Sequence, residues 1–417
     1  MRRRLLVMLG VVCVIALAVL AAGCGGDEET EEAAPPPPAE TEAAGGGGAE
    51  TTEAEPMVLR IGISAALTGP YAAYDQPLLN GMEMAAKQIN AQGGIDGITV
   101  EILSKDNKGD QSLTVTTTQE LLDDGVRVFV LTTAEASVAQ GQLISPAGGI
   151  SSVGGNTAPT IVKDIGERAF AFVWGDNGQA SADAQYACDT GYKAAYVIGS
   201  PEIPYTKDMG TFFADAFDHI CGGTVVGEDT FKIGQTEFGS QVTKIQNADP
   251  QPDVIFTPMF VPDSGAFLKQ LRSAGSTLPM ISTDGNDTTL LVDSGGSAVD
   301  GLVYSTHGFP SPGSLVEQFV AEYTEIMGKA PESNTFEAIG RDNVYAFVEA
   351  ARQAHSVEPD AMLQAILGLT DFELVTGKMT MDPASRFPAK EVTLVKMEGT
   401  EFTLLETLIP SYIAPTG

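Results

Sequence analysis

Short apolar runs alternate with longer amphipathic ones through most of this chain, and no other feature constrains its fold as strongly. Val58–Ile63 reads as a strand, followed by a helical pattern over Gln76–Asn90 that stops near Gly93 and Gly94. Val100–Leu103 is the next strand, then a helix from Asp110 to Leu122, then Val126–Leu131, a helix around Ser137–Ser145, and Ile150–Val153. A second set starts after Trp174, with helix 178–190, strand 194–198, helix 207–220, strand 224–231 and helix 238–247. It continues through Val254–Phe256, helix 263–274, Pro279–Ser282 and Leu302–Tyr304. Strands alternating with helices predict parallel sheets covered on both faces. Two such sets predict two doubly wound α/β lobes, each presenting loops at the carboxyl ends of its strands. Leu315–Leu369 reads as mostly helical, and the strand-like pieces Lys378–Met381, Val392–Met397 and Phe402–Leu408 follow it.

The alternation starts late. Met1–Arg4 carry three arginines, Leu5–Leu20 hold no charge, and Ala21, Ala22 and Gly23 precede Cys24. That order of positive, apolar and small segments predicts a secretory signal over 1–23. The 16-residue apolar run is short against the ~20 residues that span a bilayer. A cysteine directly after the cleavage site resembles the lipobox of bacterial lipoproteins, in which the thiol is diacylated. The leucine usual three residues before that cysteine is replaced by Ala21, with Leu20 one place early. The alternatives are an ordinary signal peptide with a chance cysteine, or an uncleaved anchor helix.

Residues 25–56 hold ten acidic residues, no Lys or Arg, a Pro35–Pro38 run and a Gly45–Gly48 run. Such a segment has little apolar area to offset the entropy of ordering, so 24–56 is expected to be a lipidated, disordered tether. The body, 57–417, is long enough for two cores. Of the net charge of −32, the leader carries +3 and the tether −10, which leaves −25 on the body. A surface that acidic excludes nucleic acid or an anionic lipid face as partner.

Cys188 and Cys221 remain once Cys13 and Cys24 are set aside, in a domain read as exported, where disulfides persist. Two helices flanking one strand can bring their ends together. A bridge there closes 32 intervening residues and contributes on the order of 3–4 kcal/mol in the chain-entropy model. The alternative is a pair of buried thiols.

No His-Glu-x-x-His, Cys-x-x-Cys, Gly-x-x-x-x-Gly-Lys or Gly-x-Ser-x-Gly motif occurs. His219, His307 and His355 are scattered without metal-ligand spacing. The chain is therefore read as a non-enzyme without a cofactor or metal.

Arg60-Ile-Gly-Ile-Ser-Ala-Ala-Leu-Thr-Gly-Pro-Tyr-Ala-Ala-Tyr74, Gly81-Met-Glu-Met-Ala-Ala and Ile89-Asn-Ala-Gln-Gly-Gly-Ile95 resemble one family closely. It is the branched-chain amino-acid (Leu/Ile/Val) type of ABC-transporter substrate-binding protein, with the type 1 periplasmic-binding fold. The likeness continues through Lys105-Asp106-Asn107, Tyr205, Pro252-Asp253-Val254-Ile255 and Ser282-Thr-Asp-Gly285. It implies two lobes, about 57–173 with 308–377 and about 174–307 with 378–417. Three crossovers near 172–176, 304–310 and 376–380 would join them, with a small ligand held in the cleft.

By the same resemblance, Tyr74, Tyr205 and Phe260 fall at wall positions and Asp284 where an acid holds a ligand ammonium. Gly155 and Thr157 fall on a loop that meets a ligand carboxylate, and Trp174 lies beside the first crossover. The family usually offers a serine after the third strand. Here Glu135 or Ala136, just before Ser137, takes its place. A carboxylate there repels a ligand carboxylate by roughly 4 kcal/mol at 4 Å and an effective dielectric near 20. Either Glu135 turns away to cap the helix or the ligand is not an ordinary α-amino acid. The resemblance implies a lipid-anchored, extracytoplasmic binder that delivers a small polar, amino-acid-like molecule to an ABC permease. The alternative is a receptor component that presents an amide, urea-like compound or polyamine to a signalling partner.

Overall fold

The computed structural model describes residues 57–69, 71–132, 134–333 and 335–416, without the side chains of Ala134 and Glu135. The leader, Cys24 and the tether lie outside the described residues.

The predicted alternation appears as two separate sheets. The first holds β1 (Met57–Ala65), β2 (Ile98–Asp106), β3 (Val128–Val130), β4 (Ile150–Ser152) and β5 (Ala169–Phe170). All its pairings are parallel and the order is β2-β1-β3-β4-β5. The second is built on β6 (Ala194–Gly199), β7 (Thr224–Thr230), β8 (Val254–Phe256), β9 (Met280–Ser282) and β10 (Val303–Thr306). These are parallel in the equivalent order, β7-β6-β8-β9-β10. A small antiparallel sheet follows, of β11 (Phe372–Leu374), β12 (Gly377–Met381) and β13 (Pro388–Ala389). Two antiparallel strands, β14 (Val392–Glu398) and β15 (Glu401–Leu408), then extend the second sheet beside β10.

Helices fill the crossovers. They are α1 (Ala72–Ala91), α2 (Gln111–Asp123), α3 (Ala134–Ile144), α4 (Pro159–Ile165), α5 (Asp176–Thr190) and α6 (Pro204–Cys221). After them come α7 (Gly239–Gln246), α8 (Asp263–Ser273), α9 (Leu290–Gly295), α10 (Leu315–Met327), α11 (Phe336–Ala354) and α12 (Pro359–Leu367). Local chemistry sets several of their ends. Asp110 caps α2 by accepting from the Leu113 N–H at 2.8 Å, and Ser314 caps α10 by accepting from the Glu317 N–H at 3.0 Å. Pro204 opens α6, where its missing N–H costs nothing, and Gly222 closes it in the left-handed region. Cys188 near the end of α5 and Cys221 at the end of α6 are joined as a disulfide, with Cα atoms 5.8 Å apart.

The main core of the first sheet joins Ile61, Ile63, Phe129 and Val130 to Met82, Phe347 and Ile366 of the surrounding helices. The second sheet divides its apolar side chains between two cores, one around Tyr196, Phe267 and Tyr304 and one around Phe213, Phe217 and Phe256. α11 lies directly on α1. A Cβ on Gly81 would fall 1.8 Å from the Glu337 carbonyl oxygen, and one on Gly340 would fall 2.0 Å from that of Leu78. Only hydrogen at both positions lets the two backbones approach that closely. β12 and β13 were placed by sequence with the second lobe, yet Met379, Met381 and Phe387 pack into the first core. The chain rejoins the second sheet at Val392, because there the apolar alternation pairs with β10.

Candidate functional site

In a sheet ordered 2-1-3-4-5, loops diverge at the carboxyl ends of the strands where the order reverses, and that crevice is where such folds bind ligands. The reversal lies between β1 and β3 in the first sheet and between β6 and β8 in the second. Loops from both reversals line one cavity of about 110 Å³. That is several times the ~10–15 Å³ a single water needs, so the space suits a small organic molecule.

The first sheet supplies the start of α1, where Tyr71, Tyr74 and Asp75 face the cavity. Thr132 after β3 and Gly155, Asn156 and Thr157 after β4 complete this wall. Tyr74 stands edge-on to Phe336, at 5.4 Å between ring centroids, and to Phe260, at 6.1 Å. Its hydroxyl donates to the Gly285 carbonyl at 3.1 Å. Asp75 is only 5% exposed. Its Oδ2 accepts from the Ala66 N–H at 2.7 Å and from the Thr132 hydroxyl at 2.8 Å. Burial pushes this carboxyl up to about 7, with those two hydrogen bonds pulling the other way.

The second sheet supplies Ile203 and Tyr205 after β6, Phe260 after β8, and Asp284 and Gly285 after β9. Asp284 is 7% exposed. Its Oδ1 accepts from the Tyr205 hydroxyl at 2.8 Å and from Gln179 Nε2 at 3.1 Å. Tyr205 in turn accepts from the Thr283 hydroxyl. His307 Nε2 lies 3.4 Å from Asp284 Oδ2. Burial pushes His307 below the ordinary histidine range, which leaves it neutral and makes its contact to Asp284 a hydrogen bond rather than an ion pair. Burial, followed by the nearby Asp284 charge, raises both Tyr74 and Tyr205, so both remain hydroxyl donors at neutral pH. Gly285 is required here, since a Cβ would lie 2.5 Å from that of Phe260.

Of the residues singled out by sequence, Tyr74, Gly155, Thr157, Tyr205, Phe260 and Asp284 share this cavity. Trp174 does not line it. It is 3% exposed and lies flat on His307, 3.7 Å between ring centroids and 8° from parallel, so it touches Asp284 only through that ring. Ala136 and Ser137 are buried inside α3, away from the cavity. α3 begins at Ala134, three residues before the predicted start at Ser137, which carries Ala136 into the helix as well. The side chain of Glu135 lies outside the described residues. Sequence reasoning missed Tyr71, Asp75, Thr132, Asn156, Ile203, Gly285 and Phe336. Tyr71 and Gly285 stood in motifs already quoted, whereas Phe336 carries no local signal.

Among the described residues no group of His, Cys, Asp and Glu could hold a metal. The cavity offers hydroxyls, aromatic walls and carboxyl oxygens, which together bind and orient a small molecule.

Two parallel-stranded units meeting over a cavity at their switch points define a ligand-binding class of α/β protein. Residues 58–401 match the model of the periplasmic binding protein family, and the chain belongs to that family. Leu/Ile/Val-binding protein BraC3 of Rhizobium johnstonii is 25% identical over 354 residues, 84% of this chain and 94% of that protein. The structure of the branched-chain amino acid binding protein LivJ from Streptococcus pneumoniae, in complex with isoleucine, is similar at a TM-score of 0.75. It is 23% identical, with 85% of this chain and 100% of that one covered. A solute-binding protein of R. palustris in complex with 4-hydroxybenzoate is similar at a TM-score of 0.74 and 20% identity, covering 86% of this chain and 98% of that one. At these identities the two structures show the fold, which is that of type 1 periplasmic binding proteins.

Proposed function

We propose that this chain is an extracytoplasmic solute-binding protein of an ABC importer, anchored to the membrane by a lipid on Cys24. It captures a small polar, amino-acid-like solute between a lobe built on the first sheet and a lobe built on the second. The observation that carries the reading is the Tyr74 hydroxyl bonded to the Gly285 carbonyl across a small, aromatic-walled cavity. Ligand-contacting side chains are thereby divided between two cores, so closing the lobes buries the ligand and opening them releases it. Passage of the chain between the sheets after β5, after β10 and before β14 leaves three strands of backbone for such a hinge.

Tyr74, Tyr205, Phe260 and Asp284 are the proposed contacts, with Gly155 and Thr157 closing the first-lobe side. The names of relatives support the class of ligand, since they bind branched-chain amino acids or aromatic acids. The closed form would present one composite surface to a permease. Calorimetric titration of the full chain in mild detergent against small solutes tests the reading. A solute at 100 times its dissociation constant should stabilise the protein by about 2.7 kcal/mol. Absence of binding across amino acids, amides, ureas, amines and aromatic acids would sink it.

A further inference from the structure

The solute-binding reading leaves Asp75 without a role, although it is the most deeply buried acid on the cavity wall. Both hydrogen bonds that reach its carboxyl, from Ala66 and from Thr132, end on Oδ2. Among the described residues nothing bonds Oδ1, and Asp75 lines the cavity. Asp284 lines the same cavity from the second sheet. Each wall therefore presents one carboxyl group, carried on a different core.

Among the described residues no positively charged side chain on the cavity wall offsets them, and the buried Asn156 amide nitrogen is the one neutral side-chain donor there without a bond. Two of the three tyrosine hydroxyls are committed as well, Tyr74 to Gly285 and Tyr205 to Asp284. A ligand carboxylate placed here meets like charge with no cationic side chain to balance it. A cation meets the reverse, because rings such as Tyr74, Phe260 and Phe336 attract positive charge to their faces. Donors on the ligand also find acceptors on both sides.

We propose that the cavity takes a small organic cation with N–H donors at both ends, a short diamine or guanidino compound, held by Asp284 at one end and by Asp75 Oδ1 at the other. The assignment rests on the solute-binding reading and names its ligand class.

Calorimetric titration of the full chain in mild detergent at pH 7.5 tests it, with putrescine and agmatine set against leucine, isoleucine and 4-hydroxybenzoate. Putrescine or agmatine is expected to bind, and Asp75→Asn is expected to weaken that binding at least 10-fold. An amide at this position still accepts from Ala66 and Thr132, and an unchanged melting curve checks that the fold is kept. Butylamine, which lacks the second ammonium, provides a measurement on the unmodified protein and is expected to bind at least 10-fold more weakly than putrescine. Binding of the carboxylate-bearing compounds with neither cation overturns the ligand class and leaves solute capture standing. Equal binding of butylamine and putrescine, or undiminished cation binding by a folded Asp75→Asn chain, overturns the role of Asp75. Binding by none of these compounds overturns the cation assignment, and solute capture then falls or stands on the wider panel of amides, ureas and other amino acids.

Discussion

The Tyr74 hydroxyl reaches the Gly285 backbone carbonyl at 3.1 Å, although Tyr74 follows a strand of the first sheet and Gly285 a strand of the second. One hydrogen bond thus reports whether the two halves are together. Tyr74→Phe keeps both ring contacts and removes only the hydroxyl. A typical hydrogen bond contributes about 0.5–1.5 kcal/mol net, so ligand affinity should fall by roughly 2- to 10-fold. Small-angle scattering of the unliganded variant should show a larger radius of gyration than the parent. An unchanged radius and affinity would show that closure does not depend on this bond.

Asp284 gathers Tyr205, Gln179 and His307 on one carboxyl group. Asp284→Asn should weaken binding of a cationic ligand by about 2–5 kcal/mol, because a desolvated charge loses its partner. The only tryptophan, Trp174, stacks on the histidine that touches Asp284. Ligand addition should therefore change tryptophan emission in the parent and not in the variant. Full-strength binding by Asp284→Asn would show that another group orients the ligand.

Burial pushes Asp75 up to about 7, Asp176 up to about 8 and Glu337 up to about 7. In an unfolded chain such carboxyls titrate near ~4. Between those values the folded protein holds more protons than the unfolded one, so stability is greatest below about pH 4 for these groups and is lost as pH rises through about 8. Asp106, Glu349 and Asp382 are shifted down and act only below the unfolded values, outside this window. His307, also shifted down, opposes the trend only below the unfolded histidine value of ~6.5. The strongly negative net charge works in the same direction. The melting temperature should fall by roughly 5 °C or more between pH 5 and pH 8. A rise over that interval would contradict the assignment of these groups.

Gly81→Ala should destabilise the fold although alanine is the better helix former by about 1 kcal/mol. The added Cβ would lie 1.8 Å from the Glu337 carbonyl oxygen, so α1 and α11 must move apart. Overpacking of this kind costs about 1–3 kcal/mol and sometimes more. Urea unfolding gives the balance, and an unchanged or higher midpoint would show that the two helices separate freely.

Cys24→Ala tests the anchor. If the thiol carries the acyl chains, the variant should move from the membrane to the soluble fraction, since lipid chains supply the affinity. Retention with the leader still attached would mean that the apolar leader is the anchor.

The type and order of most elements were legible because each carries its own period. Val58–Ile63 reads as a strand and became part of β1, and 207–220 reads as a helix and became most of α6. α4 and α9 escaped notice, since seven and six residues carry too little periodicity to register. In the cavity, Tyr74, Tyr205 and Asp284 came from a family resemblance, not from any local pattern. Asp75 escaped because the helical pattern reads from Gln76, one residue after it, whereas α1 begins at Ala72.

The sequence alone determined the alternation of strands and helices, the single pair of cysteines in the body, and its strongly negative net charge. Only the tertiary structure decided which side chains share the cavity. Phe336 reaches Tyr74 because Gly81 and Gly340 let α11 lie on α1, and Trp174 misses the cavity because it stacks on His307. Those outcomes depend on contacts between residues more than 100 positions apart. Local periodicity records which face of an element is buried and not what it is buried against.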